Sequence, residues 1–253
     1  MFTYLKLGRM GRLANGMFEI AGTIGIAIKS GQDYAFPLWK NYDAVERFGS
    51  TEDIDIYKHF VNPLPVVPDH LTWQEYDYFW GYRDIAAEDR VHQGNWNMNA
   101  HFQSEKYFKH CEPLIRHYFT MTNERDYPGA IAIHMRFGDY DDNYHPRPKI
   151  EYYRQAIARV KGEYLLFSDD LTSGIDIMNQ LGISFTPVDG DYLDNFRIMK
   201  RCSHFICGNS SYSLMAAILG PDPNKVIICP SQWFGPHVGL DTRDLFPANS
   251  IVI

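Results

Sequence analysis

The 253-residue chain is long enough for one large domain or two modest ones, and a hydrophobic share of 45% supplies a packed core. A formal net charge of −7 with no basic run excludes nucleic-acid binding as its main business. No apolar stretch reaches the length of a membrane span, and Met1 leads into a predicted strand rather than a signal peptide, so a cytoplasmic protein without a transmembrane segment is expected. The four cysteines, Cys111, Cys202, Cys207 and Cys229, form no C-x-x-C pair and fit a reducing compartment.

In chain order, Met1 to Leu7 is a predicted strand, and Gly8 to Phe18 a glycine-rich turn. A helix follows, with Ile20, Ala21, Ile24, Ala27 and Ile28 at helical spacing. Backbone N–H groups at such a helix start favour anions. Asn15 is placed either to cap this helix or to contact a substrate; an ordinary βα turn explains the glycines about as well. Pro63, Pro65 and Pro68 then predict an irregular loop. Aromatic side chains crowd this half: Trp39, Trp73, Tyr76, Tyr78, Phe79, Trp80, Tyr82 and Trp96. Most are expected to fill the core, with one or two left to stack on a sugar ring. Ser104 to Thr120 is predicted helical, with Tyr107, Cys111, Leu114, Ile115 and Tyr118 along one side. A lobe boundary is placed near 122–129, giving lobes of 1–125 and 126–253.

The second half alternates regularly. Predicted strands cover 131–135, 164–167, 183–185, 204–207 and 226–229, and predicted helices cover 150–160, 173–181, 192–201 and 212–219. That alternation implies a parallel sheet with helices on both faces, a Rossmann-like nucleotide lobe. The first of these strands runs into His134-Met135-Arg136-Phe137-Gly138-Asp139-Tyr140. His134, Arg136 and Asp139 therefore belong at the carboxyl end of a strand, where open α/β sheets bind ligands. Arginine there grips phosphate through two parallel hydrogen bonds; the plainer alternative is a surface Arg136–Asp139 ion pair worth little. Cys207-Gly208-Asn209-Ser210-Ser211-Tyr212-Ser213 repeats the layout, with serine hydroxyls and free N–H groups at a helix start. A serine-capped core helix accounts for the capping alone.

Three collinear segments resemble glycosyltransferase family 11, the α-1,2-fucosyltransferases. These are Gly11 to Phe18 (G-R-L-x-N-x-M-F), His134 to Tyr140 (H-x-R-x-G-D-Y) and Asn209 to Ser213 (N-S-S-[FY]-S). Val226 to Phe234, Phe102 to Phe108 and the tetrad Phe167-Ser168-Asp169-Asp170 also look like that family. Departures are Gly16 where the family usually has Gln, Leu214 and Met215 where it often has tryptophans, and Cys229 before Pro230.

The resemblance implies a two-lobed GT-B-like fold and an inverting transfer of L-fucose from GDP-fucose to a glycan hydroxyl, in a bacterial or viral type of enzyme. It implies catalytic roles for Arg136, His134 and Asp139, with Arg136 on the β-phosphate. It implies donor contacts from Arg12, Asn15, Asp169, Asp170, Asn209, Ser210 and Ser211, Asp169 or Asp170 serving guanine or ribose. With an arginine and helix N-termini neutralising the diphosphate, no metal and no cofactor beyond the donor are expected. The base is left among Asp139, Asp141 and Asp142, or absent, and Asp139 alternatively holds Arg136. Three rivals stand beside this. One is a same-fold transferase for another nucleotide sugar. Another is a metal-dependent D-x-D enzyme using Asp189-Gly190-Asp191 or Asp53-Ile54-Asp55. The last is a sugar-nucleotide-binding protein without turnover. The oligomeric state is not legible.

Overall fold

Among the described residues every strand pairing within the two sheets is parallel, so each return to the next strand start needs a long crossover. The computed structural model describes residues 1–40, 42, 55–78, 80–141 and 143–253; Asp53, Ile54, Phe79 and Asp142 lie outside them. Two units result, Met1–Thr122 with Arg243–Leu245, and Asn123–Thr242 with Phe246–Ile253. Among the described residues, no helix is long and apolar enough to cross a membrane.

The first unit carries a three-stranded sheet, β1 (Phe2–Thr3), β3 (Trp96–Asn99) and β2 (Gln74–Asp77), with β3 central. The strand expected over Met1 to Leu7 keeps only two residues. Turn bonds from Leu7 N to Tyr4 O (3.2 Å) and Arg9 N to Lys6 O (2.9 Å) bend the chain away. Helix α1 (Leu13–Lys29) is buried over most of its surface. Its Gly22 and Gly25 face residues 102–108: a Cβ at Gly22 would lie 2.5 Å from Phe102 Cβ, and one at Gly25 would overlap the Tyr107 carbonyl.

The helix expected over 104–120 is shorter. Two 3-10 turns, Glu105–Tyr107 and Lys109–Cys111, precede α2 (Glu112–Tyr118). Pro113 explains the late start, because proline lacks an N–H and is tolerated only in a first helical turn. Trp39, Tyr76 and Trp96 are buried core residues, and Trp39 stacks on Phe60 at 5.8 Å with rings 12° apart.

The second unit follows the predicted alternation. Its strands are β4 (Tyr127–Met135), β5 (Glu163–Ser168), β6 (Thr186–Pro187), β7 (Cys202–Ile206), β8 (Ile227–Cys229) and β9 (Ser250–Val252). Between them run α3 (Ile150–Arg159), α4 (Leu171–Leu181), α5 (Tyr192–Met199) and α6 (Ser211–Leu219). Ile131, Ile133 and Met135 take alternate places on β4, so one face packs with Leu166, Ile206 and Ile228 against Tyr152, Tyr153, Ala156 and Ile157 of α3. Two expectations shift: β6 falls at 186–187 instead of 183–185, after Gly182 ends α4 in the left-handed region (φ 67°), and β9 was not foreseen.

Strand order in this sheet is β6-β5-β4-β7-β8-β9. The chain thus builds outward from β4 in one direction, returns to β7, and builds outward in the other. The order reverses between β4 and β7. In open α/β sheets, the crevice outside the strand ends at such a reversal is where ligands bind.

Candidate functional site

The residues leaving β4 and β7 at this reversal are those of the two motifs. His134 points to the sheet face opposite Ile133 and Met135 and is only 5% exposed. Burial, with Arg136 close by, holds its imidazole pKa down to about 3, so the ring is neutral. Its Nδ1 is buried without a hydrogen-bond partner among the described residues. The ring lies 5.4 Å from that of Tyr212 on α6. Gly208 closes in beside it: a Cβ there would be 3.3 Å from His134 Nδ1 and 3.1 Å from its carbonyl oxygen.

Arg136 is held between two carboxylates. Its Nε donates to Asp139 Oδ1 (3.1 Å), its Nη2 donates to the same oxygen, and its Nη1 reaches Asp169 Oδ2 at 2.8 Å. The side chain is 16% exposed, so this is not the simple surface pair that the sequence also allowed. A guanidinium has five N–H donors; two of them donate to Asp139, and Nη1 meets Asp169 as a close ion pair. The guanidinium also lies over the Tyr140 ring at 5.7 Å.

The two carboxylates of the Phe167–Asp170 tetrad are engaged by protein donors. Asp169 accepts from Phe137 N and Gly138 N, both at 2.9 Å, in addition to Arg136. Asp170 caps α4, accepting from Ser173 N (3.1 Å) and Ser173 Oγ (2.6 Å), and these bonds lower its pKa. Asp141 likewise accepts from Asn143 N and Tyr144 N, both at 2.8 Å.

After β7, Asn209 is fully buried. Its side-chain amide donates to Pro146 O (2.5 Å) and Trp233 O (3.3 Å), and its main-chain carbonyl accepts from Tyr140 Oη (2.8 Å). It therefore ties together the loops after β4, β7 and β8. Ser210 is the N-cap of α6, its Oγ accepting from Tyr212 N at 3.4 Å, and Ser211 opens the helix. The N-terminal end of α6 favours negative charge.

Sequence reasoning missed the aromatic cluster behind this loop. His145 stacks on Tyr140 (4.8 Å, 19°) and lies 5.3 Å from Phe234, and burial lowers its pKa. Only the close spacing of Tyr140, Tyr144 and His145 hinted at it. Also missed was Tyr152, whose hydroxyl donates to Cys207 O (2.5 Å) and Ile228 O (3.0 Å) under the β7 end.

The structure thus brings His134, Arg136, Asp139, Asp169, Asp170, Asn209, Ser210 and Ser211 to the same ends of neighbouring strands. Arg12 and Asn15 belong to the first unit. There Arg12 is the N-cap of α1 without a side-chain cap bond, so Asn15, inside the first turn, is not the cap. Asn15 Oδ1 accepts from Gln103 Nε2 at 3.0 Å. Gly16 has a packing reason: a Cβ there would stand 2.7 Å from the Trp39 ring. Of the two D-x-D segments, Asp191 caps α5 and Asp55 caps a 3-10 turn. Among the described residues no group of three or more His, Cys, Asp or Glu is placed to hold a metal ion.

Compared with known proteins, residues 73–234 match the model of glycosyl transferase family 11. The O-antigen biosynthesis glycosyltransferase WbnK of Escherichia coli is 29% identical over 119 residues, which is 42% of this chain and 39% of that protein. The chain therefore spans about two fifths of the length of the curated relative it matches. Among solved structures, the crystal structure of POFUT1 in complex with GDP-fucose is similar at a TM-score of 0.56 and 10% identity, over 90% of this chain and 97% of that one. The fold is α/β and GT-B-like.

Proposed function

We infer, since the chain belongs to glycosyl transferase family 11, that it transfers a sugar from a nucleotide diphosphate donor to a hydroxyl of a glycan acceptor. The donor we assign is GDP-fucose, with an α-1,2-type linkage and inversion at the anomeric carbon. One observation carries this most. Arg136 stands at the point of strand-order reversal with more N–H donors than its contacts to Asp139 and Asp169 take up, beside the N-terminal end of α6.

Departure of a diphosphate concentrates negative charge on its oxygens, and fixed donors aimed at that charge are the largest lever an enzyme has on such a step. Arg136 supplies the positive charge, and Ser211 with the N-terminal end of α6 supplies neutral donors. His134, being neutral, contributes a hydrogen bond and no charge. Asp139 keeps the Nε edge of Arg136 engaged, so we assign it to holding that side chain rather than to removing the acceptor proton. Deprotonation then comes late, as the fucosyl cation forms, with the acceptor proton passing to water. The choice of donor is supported by the resemblance of the motifs and by the shared fold of POFUT1, whose structure holds GDP-fucose.

A second reading is a same-fold transferase for another nucleotide sugar. It is favoured by the engagement of Asp169 and Asp170 with protein donors, which leaves neither assigned to guanine. Calorimetric titration with GDP, GDP-fucose, UDP and UDP-sugars in EDTA separates the two. Wild type should bind GDP and GDP-fucose, and Arg136→Ala should weaken that binding roughly 10- to 100-fold, the worth of a charge-assisted bond to phosphate. Binding of UDP alone, or binding that requires metal, overturns the GDP-fucose assignment.

A further inference from the structure

We propose that Asp169 is a positioning residue: it fixes the direction in which Arg136 presents its remaining N–H donors, and it touches no part of the donor itself. This rests on the proposed role of Arg136 and goes beyond it by naming what aims that side chain.

The placement follows from strand register. Ser168 is the partner of Met135 across β5 and β4, so Asp169 and Arg136 leave adjacent strands side by side. The Asp169 carboxylate is then fixed by main chain. Oδ1 accepts from Phe137 N and Oδ2 from Gly138 N, the first two peptide groups after Arg136, both at 2.9 Å. Backbone donors cannot swing away as side chains do, so Oδ2 is held where Arg136 Nη1 meets it at 2.8 Å. Asp139 holds the opposite edge, Nε and Nη2. With a carboxylate held against each side, the guanidinium plane is set. Asp169 is the better-sheltered of the two carboxylates, 22% exposed against 40% for Asp139.

Gly138 belongs to the same device. A Cβ there would lie 2.6 Å from Asp169 Oδ2, so any side chain at 138 evicts the carboxylate. The backbone at 138 is not in the left-handed region, so the glycine serves space rather than conformation. The glycine of the His134–Tyr140 motif and the first aspartate of the Phe167–Asp170 tetrad, 31 positions apart, thus form one contact.

Asp169→Asn separates the possible roles, because asparagine keeps an acceptor for one backbone N–H and loses the charge that meets Arg136. With Arg136 misaimed, kcat with GDP-fucose should fall roughly 10- to 100-fold, the cost of a small misplacement at a reacting centre. The Kd for GDP should change little, since removing a negative charge beside the diphosphate offsets the poorer aim. In an Arg136→Ala background the same substitution should cost no further kcat, as expected for residues that act as a unit. Gly138→Ala should reproduce the kcat loss and add nothing to Asp169→Asn. A rise in KM for GDP-fucose with kcat unchanged would make Asp169 a donor contact and overturn the proposal. So would a kcat loss that persists undiminished without Arg136. A readout free of any donor is the Arg136 Nη1–H NMR resonance, the group that meets Asp169, sharp and shifted from the bulk arginine position in wild type and collapsed toward it in Asp169→Asn. Unchanged Arg136 resonances in that variant overturn the positioning role whatever nucleotide the protein binds. Absence of GDP binding in wild type, with the resonance shift present, instead overturns the function proposed above and leaves the positioning role standing.

Discussion

His134 makes the stability of the second unit sensitive to acid in a calculable way. The imidazole is held to a pKa of about 3, first by burial and then by the neighbouring Arg136 charge, against 6.5 for an ordinary histidine. As pH falls below 6.5 the unfolded chain takes up a proton that the folded chain refuses. Folding stability must therefore drop across the window from about 6.5 to about 3, and stay flat above and below it. Each pH unit inside the window is worth up to about 1.4 kcal/mol, so moving from pH 7 to pH 5 costs about 2 kcal/mol from this group alone. Urea unfolding of wild type and His134→Gln at both pH values measures it. Other groups, His145 among them with its own lowered pKa, titrate in both proteins and cancel in the difference. Wild type should lose about 2 kcal/mol more than the variant. Equal losses would show that the ring takes up its proton in the folded state and would refute both the buried-neutral assignment and the proposal that it is an uncharged partner of the diphosphate.

Two further substitutions test the framework that presents the site. Tyr152→Phe removes a buried hydroxyl that donates to the ends of β7 and β8 and leaves the Cys207 carbonyl short of a donor, while Ile228 O keeps its bond from Cys207 N; unfolding should be easier by about 1–3 kcal/mol, read from urea midpoints at constant m-value. Gly25→Ala sets two effects against each other. Alanine gains about 1 kcal/mol of helix propensity, but its methyl overlaps the Tyr107 carbonyl, an overpacking cost of about 1–3 kcal/mol or more. A net loss of thermal stability is expected, and a rise in Tm would show that α1 does not pack so closely on residues 102–108.

Periodicity carries information only where an element repeats it. The second unit was legible nearly strand by strand, because Ile131, Ile133 and Met135, or Phe205 and Ile206, are apolar runs between regular helices. Strand β2 reads Gln-Glu-Tyr-Asp with a single buried residue, and β1 pairs with Trp96 and Asn97 more than 90 positions away, so nothing local announces that sheet. The late start of α2 was marked by Pro113 and passed over in favour of the apolar stripe. At the site, Arg136 and Asp139 were legible because side chains three apart in a glycine-containing turn constrain each other locally. The part played by Asp169 was not, since two of its three partners are peptide N–H groups, which every residue but proline carries and no motif can record.

Burial of Asn209 bears on where this protein can be made. Asn209-Ser210-Ser211 also spells the acceptor sequence for N-linked glycosylation. In secretory compartments that modification reaches chains before they fold, whereas the folded protein leaves Asn209 no exposed surface and uses its amide to join Pro146 and Trp233. An oligosaccharide on that nitrogen would leave a single N–H for the two acceptors and demand a volume the interior lacks. The chain would then be trapped with β7 and α6 undocked. Recombinant production therefore belongs in a host, or a compartment, without oligosaccharyl transferase.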